Sequence, residues 1–145
     1  MVIGIIGENC SGKSTLANQI RDTLGAEVVT GKDYLRLAKS ESEATALFKE
    51  KLNAFARSDD RLIYVISEPK QLQLLPDGAV KVLVSADLDT IKARFKARMR
   101  GVLPAPVAQM LERKHGMFDH IDCDYHFDGA AGDPAKLCEA LKARI

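Results

Sequence analysis

An α/β fold, a five-stranded parallel sheet with helices on both faces, is what the sequence predicts, and three observations carry that prediction. Short apolar runs rich in β-branched residues alternate with longer segments of helical periodicity, the pattern of a doubly wound sheet. The run Leu62-Ile63-Tyr64-Val65-Ile66 is apolar at every position, which suits a strand covered on both faces. The run Val2-Ile3-Gly4-Ile5-Ile6 leads straight into a glycine-bracketed loop and then into a helical segment.

Taken in order, the helix after that loop ends near Leu24-Gly25, where glycine supplies the stop. Glu27-Val28-Val29 is a second strand leading to Thr30-Gly31-Lys32-Asp33. From Tyr34 to Arg57 the residues Leu35, Leu37, Ala38, Ala44, Leu47, Phe48, Leu52 and Phe55 recur at helical spacing, with a break at Ser40-Glu41-Ser42, so two helices are expected. The third strand closes on Ser67-Glu68-Pro69, and Leu72 to Leu75 predicts a short helix before Pro76-Asp77-Gly78. Val80 to Val84 is the fourth strand, and Asp87 is placed to cap a helix running through Met99. Gly101, Pro104 and Pro106 interrupt the pattern and predict a short mobile turn over 100–106; helical spacing resumes at Val107, Met110 and Leu111 and lasts until Gly116. Asp124 to Phe127 reads as a fifth strand and Asp128 to Gly132 as a loop. Asp133-Pro134 then opens a final helix through Leu137 and Leu141.

With 145 residues, 46% apolar and 28% charged, the chain suits one domain, 1–145, around one core. Lys and Arg number 21 against 20 for Asp and Glu, and a net charge of +1 offers no general attraction for nucleic acid or a membrane surface. Cys10, Cys123 and Cys138 are odd in number and unrelated in spacing, which predicts a reducing, cytoplasmic setting. The opening apolar run is too short for a membrane span and reads as a buried strand.

Residues Gly7-Glu8-Asn9-Cys10-Ser11-Gly12-Lys13-Ser14-Thr15 match G-x-x-x-x-G-K-[ST] in full, between a strand and a helix as that motif requires. Such a P-loop bends its backbone amides around phosphates and adds the positive end of a helix dipole. Lys13 would reach the β- and γ-phosphates of ATP, and the Ser14 hydroxyl would ligate Mg²⁺. Because ligands of parallel sheets gather beyond the carboxyl ends of the strands, Asp33 and Glu68 are expected to converge on this loop. Asp33 could orient an acceptor hydroxyl, though it could equally cap a helix; Glu68 could orient the nucleophile or magnesium-bound water. Arg36 and Arg57 could grip an acceptor phosphate. Arg94 and Arg98 share a helix face with Arg100 beside the turn, either as phosphate clamps or as a solvated basic face. His115, His120, Cys123 and His126, mixed with Asp119, Asp122 and Asp124, lack the paired spacing of a zinc site.

These residues resemble the P-loop kinases of the nucleoside monophosphate kinase group, and residues 61–128 look most like the guanylate kinase branch. The likeness runs through the third strand, Leu75-Pro76-Asp77-Gly78-Ala79-Val80, the Arg-x-x-x-Arg of Arg94 and Arg98, Val107 to Arg113, Phe118-Asp119 and Asp124-Tyr125. It implies a P-loop NTPase three-layer fold, ATP phosphates and Mg²⁺ on Lys13, Ser14 and Thr15, and lid arginines at Arg94 and Arg98. By the same resemblance, 128–132 would lie beside adenine, with an acceptor segment about 31–60 and a short lid about 94–113. Thr30 to Arg36 is similar to the acceptor stretch of adenylate kinases, which implies roles for Asp33 and Arg36. The Arg- and Tyr-rich module that holds GMP in guanylate kinases has no counterpart here.

The expected function is a small ATP-dependent kinase acting on a nucleotide or nucleoside, as a monomer or homodimer. The alternatives are a kinase of a small hydroxylated metabolite, shikimate or gluconate kinase-like, or a nucleotide-binding domain without turnover. A regulatory GTPase is disfavoured, because Thr30-Gly31-Lys32-Asp33 has the wrong order for a base-reading motif.

Overall fold

The computed structural model describes residues 1–145. Its strands are β1 (Val2–Ile6), β2 (Glu27–Thr30), β3 (Leu62–Ile66), β4 (Val80–Ser85) and β5 (Tyr125–Asp128). They form one sheet in the order β2-β3-β1-β4-β5, every neighbouring pair parallel. The central strand β1 pairs Ile3 with Ile63 on one side and with Val80 on the other.

Alternation along the strands divides the core between two faces. Ile3, Ile5, Ile63, Val65, Val82 and Val84 pack under Leu16 and Ile20 of α1 (Lys13–Leu24) and Leu137 and Leu141 of α5 (Pro134–Lys142). Val2, Ile6, Leu62, Tyr64 and Ile66 turn the other way, against Phe48 and Leu52 of α2 (Glu41–Ala56), Leu74 and Phe118. Helices α3 (Leu88–Arg98) and α4 (Ala105–Lys114) form a pair that packs through Ile91 and Leu111 around Cys10 of the P-loop.

Most element boundaries follow the local chemistry that predicts them. Gly25 adopts φ 71° and returns its N–H to Arg21 O at 2.8 Å, closing α1. Asp87 accepts from Thr90 N at 2.7 Å at the start of α3, and Ser40 Oγ accepts from Glu43 N at 3.1 Å at the start of α2. The first of the two helices expected over 34–57 is only a 3₁₀ turn, Asp33–Leu37, which packs Tyr34 on Phe48 and ends where Ala38 turns extended, with φ −153° and ψ 166°. Between α3 and α4 the chain reverses at Arg100 and Gly101, with φ 61° and 88°. No helix is long and apolar enough to cross a membrane.

Candidate active site

The loop between β1 and α1 lies at the carboxyl end of the central strand. Gly7 N donates to Ile66 O at 3.2 Å, tying the loop to β3, and Ser11 N donates to Glu8 O at 3.2 Å. Cys10 (φ 63°) and Gly12 (φ 107°) both take left-handed conformations, which turn the backbone into a concave ring. The amides of Gly12, Lys13, Ser14 and Thr15 donate to no protein acceptor, so four N–H groups stand free at the positive end of α1.

Lys13 is buried, with 6% of its surface exposed, and its Nζ donates to Glu8 O at 2.6 Å. Burial, reinforced by Arg98 and opposed by Cys10 and Glu8, lowers its pKa to about 8. The sign of the pH dependence follows. The unfolded lysine holds its proton to about pH 10.4, so the free protein gains stability as pH rises from about 8 toward that value. A bound anion favours the charged form, so nucleotide binding above pH 8 must take up a proton and weaken as pH climbs. Calorimetric titration with Mg-ATP at pH 8.5, in two buffers of different ionisation enthalpy, is expected to show uptake of about 0.7 proton, absent in Lys13→Met. Buffer-independent heats in the wild type would refute this.

On the β4–β5 side of the loop, Arg94 spans two backbones. Its Nη1 donates to Cys10 O at 3.1 Å and its Nη2 to Gly129 O at 2.9 Å. Beside it opens a groove of about 600 Å³ lined by Thr15, Gln19, Arg98, Phe127, Gly132 and Pro134, among others. The turn after β5 forms its far wall and comes so close to the P-loop that a Cβ on Gly129 would lie 1.6 Å from Ser11 O.

On the other side, Glu8 reaches the end of α4. Its Oε1 lies 3.1 Å from His115 Nδ1, and its Oε2 accepts from Gly116 N at 3.1 Å. One P-loop residue therefore holds Lys13 through its carbonyl and the α4 terminus through its carboxylate. Glu68 follows β3, half-exposed, 3.8 Å from Lys32 Nζ. The buried Gln71 shapes that strand end, its Oε1 accepting from Ser67 N at 3.0 Å and Glu68 N at 3.3 Å. Tyr64 OH donates to Gly31 O at 2.7 Å and so holds the loop after β2; burial, with Tyr34, Glu68 and Asp33 nearby, pushes its pKa above the ordinary phenol value.

The expected site residues divide accordingly. Gly7 to Thr15, Arg94, Arg98 and Glu68 gather around the P-loop. Arg94 grips backbone carbonyls, whereas Arg98 lines the groove. Asp33 and Arg36 are exposed on the turn beyond β2, where Asp33 borders an apolar hollow on the sheet edge with Val28, Tyr34 and Phe48. Arg57 does not join them: it caps the carboxyl end of α2. The Met1 ammonium bonds Phe55 O and Asp60 O, both at 2.7 Å, which puts this stretch at the amino end of the strands. A phosphate beyond the carboxyl ends is a strand length away, about 17 Å, beyond an arginine's reach. The close approach of Gly129 to the P-loop and the hold of Glu8 on residues 115–116 were missed by sequence reasoning, which expected 128–132 only beside adenine. Only the Asp128-Gly129 turn left a signal, since a glycine between strand and helix marks close approach of backbones.

The sheet order, the free amides, the buried lysine and the flanking groove define a P-loop NTPase-type domain of small size. Solved structures share this fold over nearly their whole length. A sugar kinase from Janibacter sp. HTCC2649 matches with TM-score 0.63 at 16% identity, covering 98% of this chain and 92% of that one. A gluconokinase from Sinorhizobium meliloti 1021 matches at 0.60 and 16%, covering 99% and 96%. The deoxyadenosine kinase of M. mycoides matches at 0.56 and 14%, covering 99% and 97%. In sequence, 73 residues are 33% identical to a YcgL domain-containing protein of Klebsiella pneumoniae, 50% of this chain and 78% of that protein. Over that stretch the chain belongs to the YcgL domain-containing proteins. No family model matches it.

Proposed function

We propose that the protein is an ATP-dependent phosphotransferase that moves the γ-phosphoryl group of Mg-ATP to a small-molecule acceptor. The observation that carries this reading is the cradle itself: four unpaired amides and a buried Lys13 beside a groove of about 600 Å³, large enough for a nucleoside. The kinases of sugars, gluconate and deoxyadenosine that share the fold support the reaction class.

Phosphoryl transfer asks a protein mainly for positioning and charge. An acceptor oxygen bonds to the γ-phosphorus, the bond from phosphorus to the β–γ bridging oxygen breaks, and its electron pair leaves on ADP. The acceptor proton passes to Glu68 or to water. Lys13 leaves Glu8 O for the phosphates, and Arg98 supplies positive charge from the groove wall. Ser14, exposed on the first turn of α1, offers the hydroxyl oxygen that a hard cation prefers and would hold Mg²⁺, and Glu68 would orient its waters. The metal would neutralise charge on the phosphate oxygens.

A nucleotide or nucleoside acceptor would be met by Asp33 and Arg36, in the stretch Thr30 to Arg36 that is similar to the acceptor segment of adenylate kinases. The position of Arg57 removes one of the two arginines on which that expectation stood. The test is an ADP-coupled assay with Mg-ATP against nucleoside monophosphates, nucleosides and hydroxy acids, with Lys13→Ala as the blank. Acceptor-dependent ADP release is expected, falling at least about a hundredfold in the variant. ATP binding with no release on any acceptor would leave a nucleotide-binding domain without turnover.

A further inference from the structure

A groove of about 600 Å³ holds either purine nucleoside, so size does not choose between adenine and guanine and the choice falls to the hydrogen bonds of its walls. The phosphate end is fixed by the free amides of residues 12–15 and by Lys13, with Arg98 close enough to act on the charge of that lysine. Thr15 and Gln19 stand one turn apart on α1, and both line the groove. A nucleotide with its phosphates on the loop therefore lays its base beyond Thr15, between Gln19 and the wall of Phe127, Gly132 and Pro134.

The turn over 129–132 in that wall has no N–H left to give. Gly129 N donates to Ser85 O at 2.7 Å, and Gly132 N donates to Asp128 O at 2.7 Å. Between them, Ala130 N and Ala131 N donate to Asp128 Oδ1 at 2.8 and 3.2 Å. Pro134 carries no N–H, and Asp133, which does, is not part of the groove lining. The carbonyls of Ala130, Ala131 and Gly132, by contrast, accept from no protein amide. Such a wall accepts from the exocyclic amino group of adenine, whereas guanine brings an exocyclic oxygen to the same place and sets acceptor against acceptor. Gln19 on the opposite wall suits either base by turning its carboxamide over, so it adds affinity without choosing.

Resting on the phosphotransferase reading above, we propose that the turn over 129–132 selects adenine over guanine in the phosphoryl donor, and that Asp128 is the positioning residue that sets this choice. Its side chain and its carbonyl together hold the amides of Ala130, Ala131 and Gly132 inside the turn and leave only acceptors for the base. Gly132 keeps the turn tight on Phe127, since a Cβ there would lie 2.7 Å from the ring.

The test measures Kd for the full chain with Mg²⁺ and four probes: ATP, GTP, inosine triphosphate and diaminopurine riboside triphosphate. ATP is expected to bind about tenfold or more tighter than GTP, the effect of leaving a buried acceptor unpaired. Inosine triphosphate, which has guanine's exocyclic oxygen without its amino group, should be rejected with GTP. Diaminopurine riboside triphosphate, which carries adenine's amino group as well as guanine's, should bind with ATP. Asp128→Ala releases the amides of Ala130 and Ala131 and should bring ATP and GTP to within about threefold of each other, whereas Asp128→Asn keeps an oxygen for both amides and should keep the preference. A loss of stability alone would weaken all four probes alike and leave their ratios unmoved. Equal binding of ATP and GTP by the wild type, or inosine triphosphate binding as tightly as ATP, overturns selection by the turn, whether or not the variants fold. An unchanged ratio in Asp128→Ala overturns the role of Asp128. A wild type that binds none of the four brings down the phosphotransferase reading instead.

Discussion

Gly129→Ala is expected to abolish ATP binding and to lower the melting temperature by roughly 10 °C, the effect of about 3 kcal/mol in a domain of this size. The added carbon would lie 1.6 Å from Ser11 O, and both partners are backbone, so no rotamer change relieves the overlap. Either the turn after β5 or the P-loop must move, which pulls either Gly129 O or Cys10 O away from the Arg94 guanidinium that joins them. Gly4→Ala is the control within the same sheet: its new carbon would meet only the tip of Leu75, at 2.8 Å, and a side chain can yield. Thermal melts and Mg-ATP titration of both variants check the argument. A Gly129→Ala protein that melts within 2 °C of wild type and binds ATP normally would show that the close approach is not needed.

Arg94→Ala is expected to behave as a stability variant, and Arg98→Ala as an activity variant. Arg94 donates two charge-assisted bonds to part-buried carbonyls, and such bonds contribute about 1.5–3 kcal/mol each. Its loss should lower the melting temperature by roughly 10 °C and weaken ATP binding, because the loop and the groove wall are no longer joined. Arg94→Lys should recover little, since a single ammonium does not reproduce the planar fork across two acceptors. Arg98 is exposed and makes no such bonds, so Arg98→Ala should melt like wild type while turnover falls about a hundredfold. If Arg94→Ala melts normally and loses only turnover, Arg94 is instead the phosphate-facing lid arginine that the sequence resemblance implies.

The different surroundings of Arg94, bonded to two backbone carbonyls, and Arg98, on the groove wall, show where reading along the chain stops. Both residues lie on one helix face at four-residue spacing, and spacing fixes the face but not what the face meets. What Arg94 meets comes from 84 residues upstream at Cys10 and 35 downstream at Gly129. Arg57 illustrates the same gap. It follows a helix in the stretch read as acceptor-binding, yet α2 runs antiparallel to the strands and carries its last turn to the far end of the sheet.

Local chemistry sufficed for everything that depends on neighbours in sequence. The strands follow from apolar runs, the helix starts at Ser40, Asp87 and Asp133 from side chains that accept backbone N–H groups, and the cradle from the glycine and lysine spacing of residues 7–15. The order of the sheet, the grip of Arg94, the contact of Gly129 with the P-loop and the hold of Glu8 on residues 115–116 come only with the tertiary structure. The physical reason is one of range. Caps, turns and periodicity are settled within a few residues, whereas a site formed at the carboxyl ends of five strands is assembled by packing segments that the chain keeps many tens of residues apart.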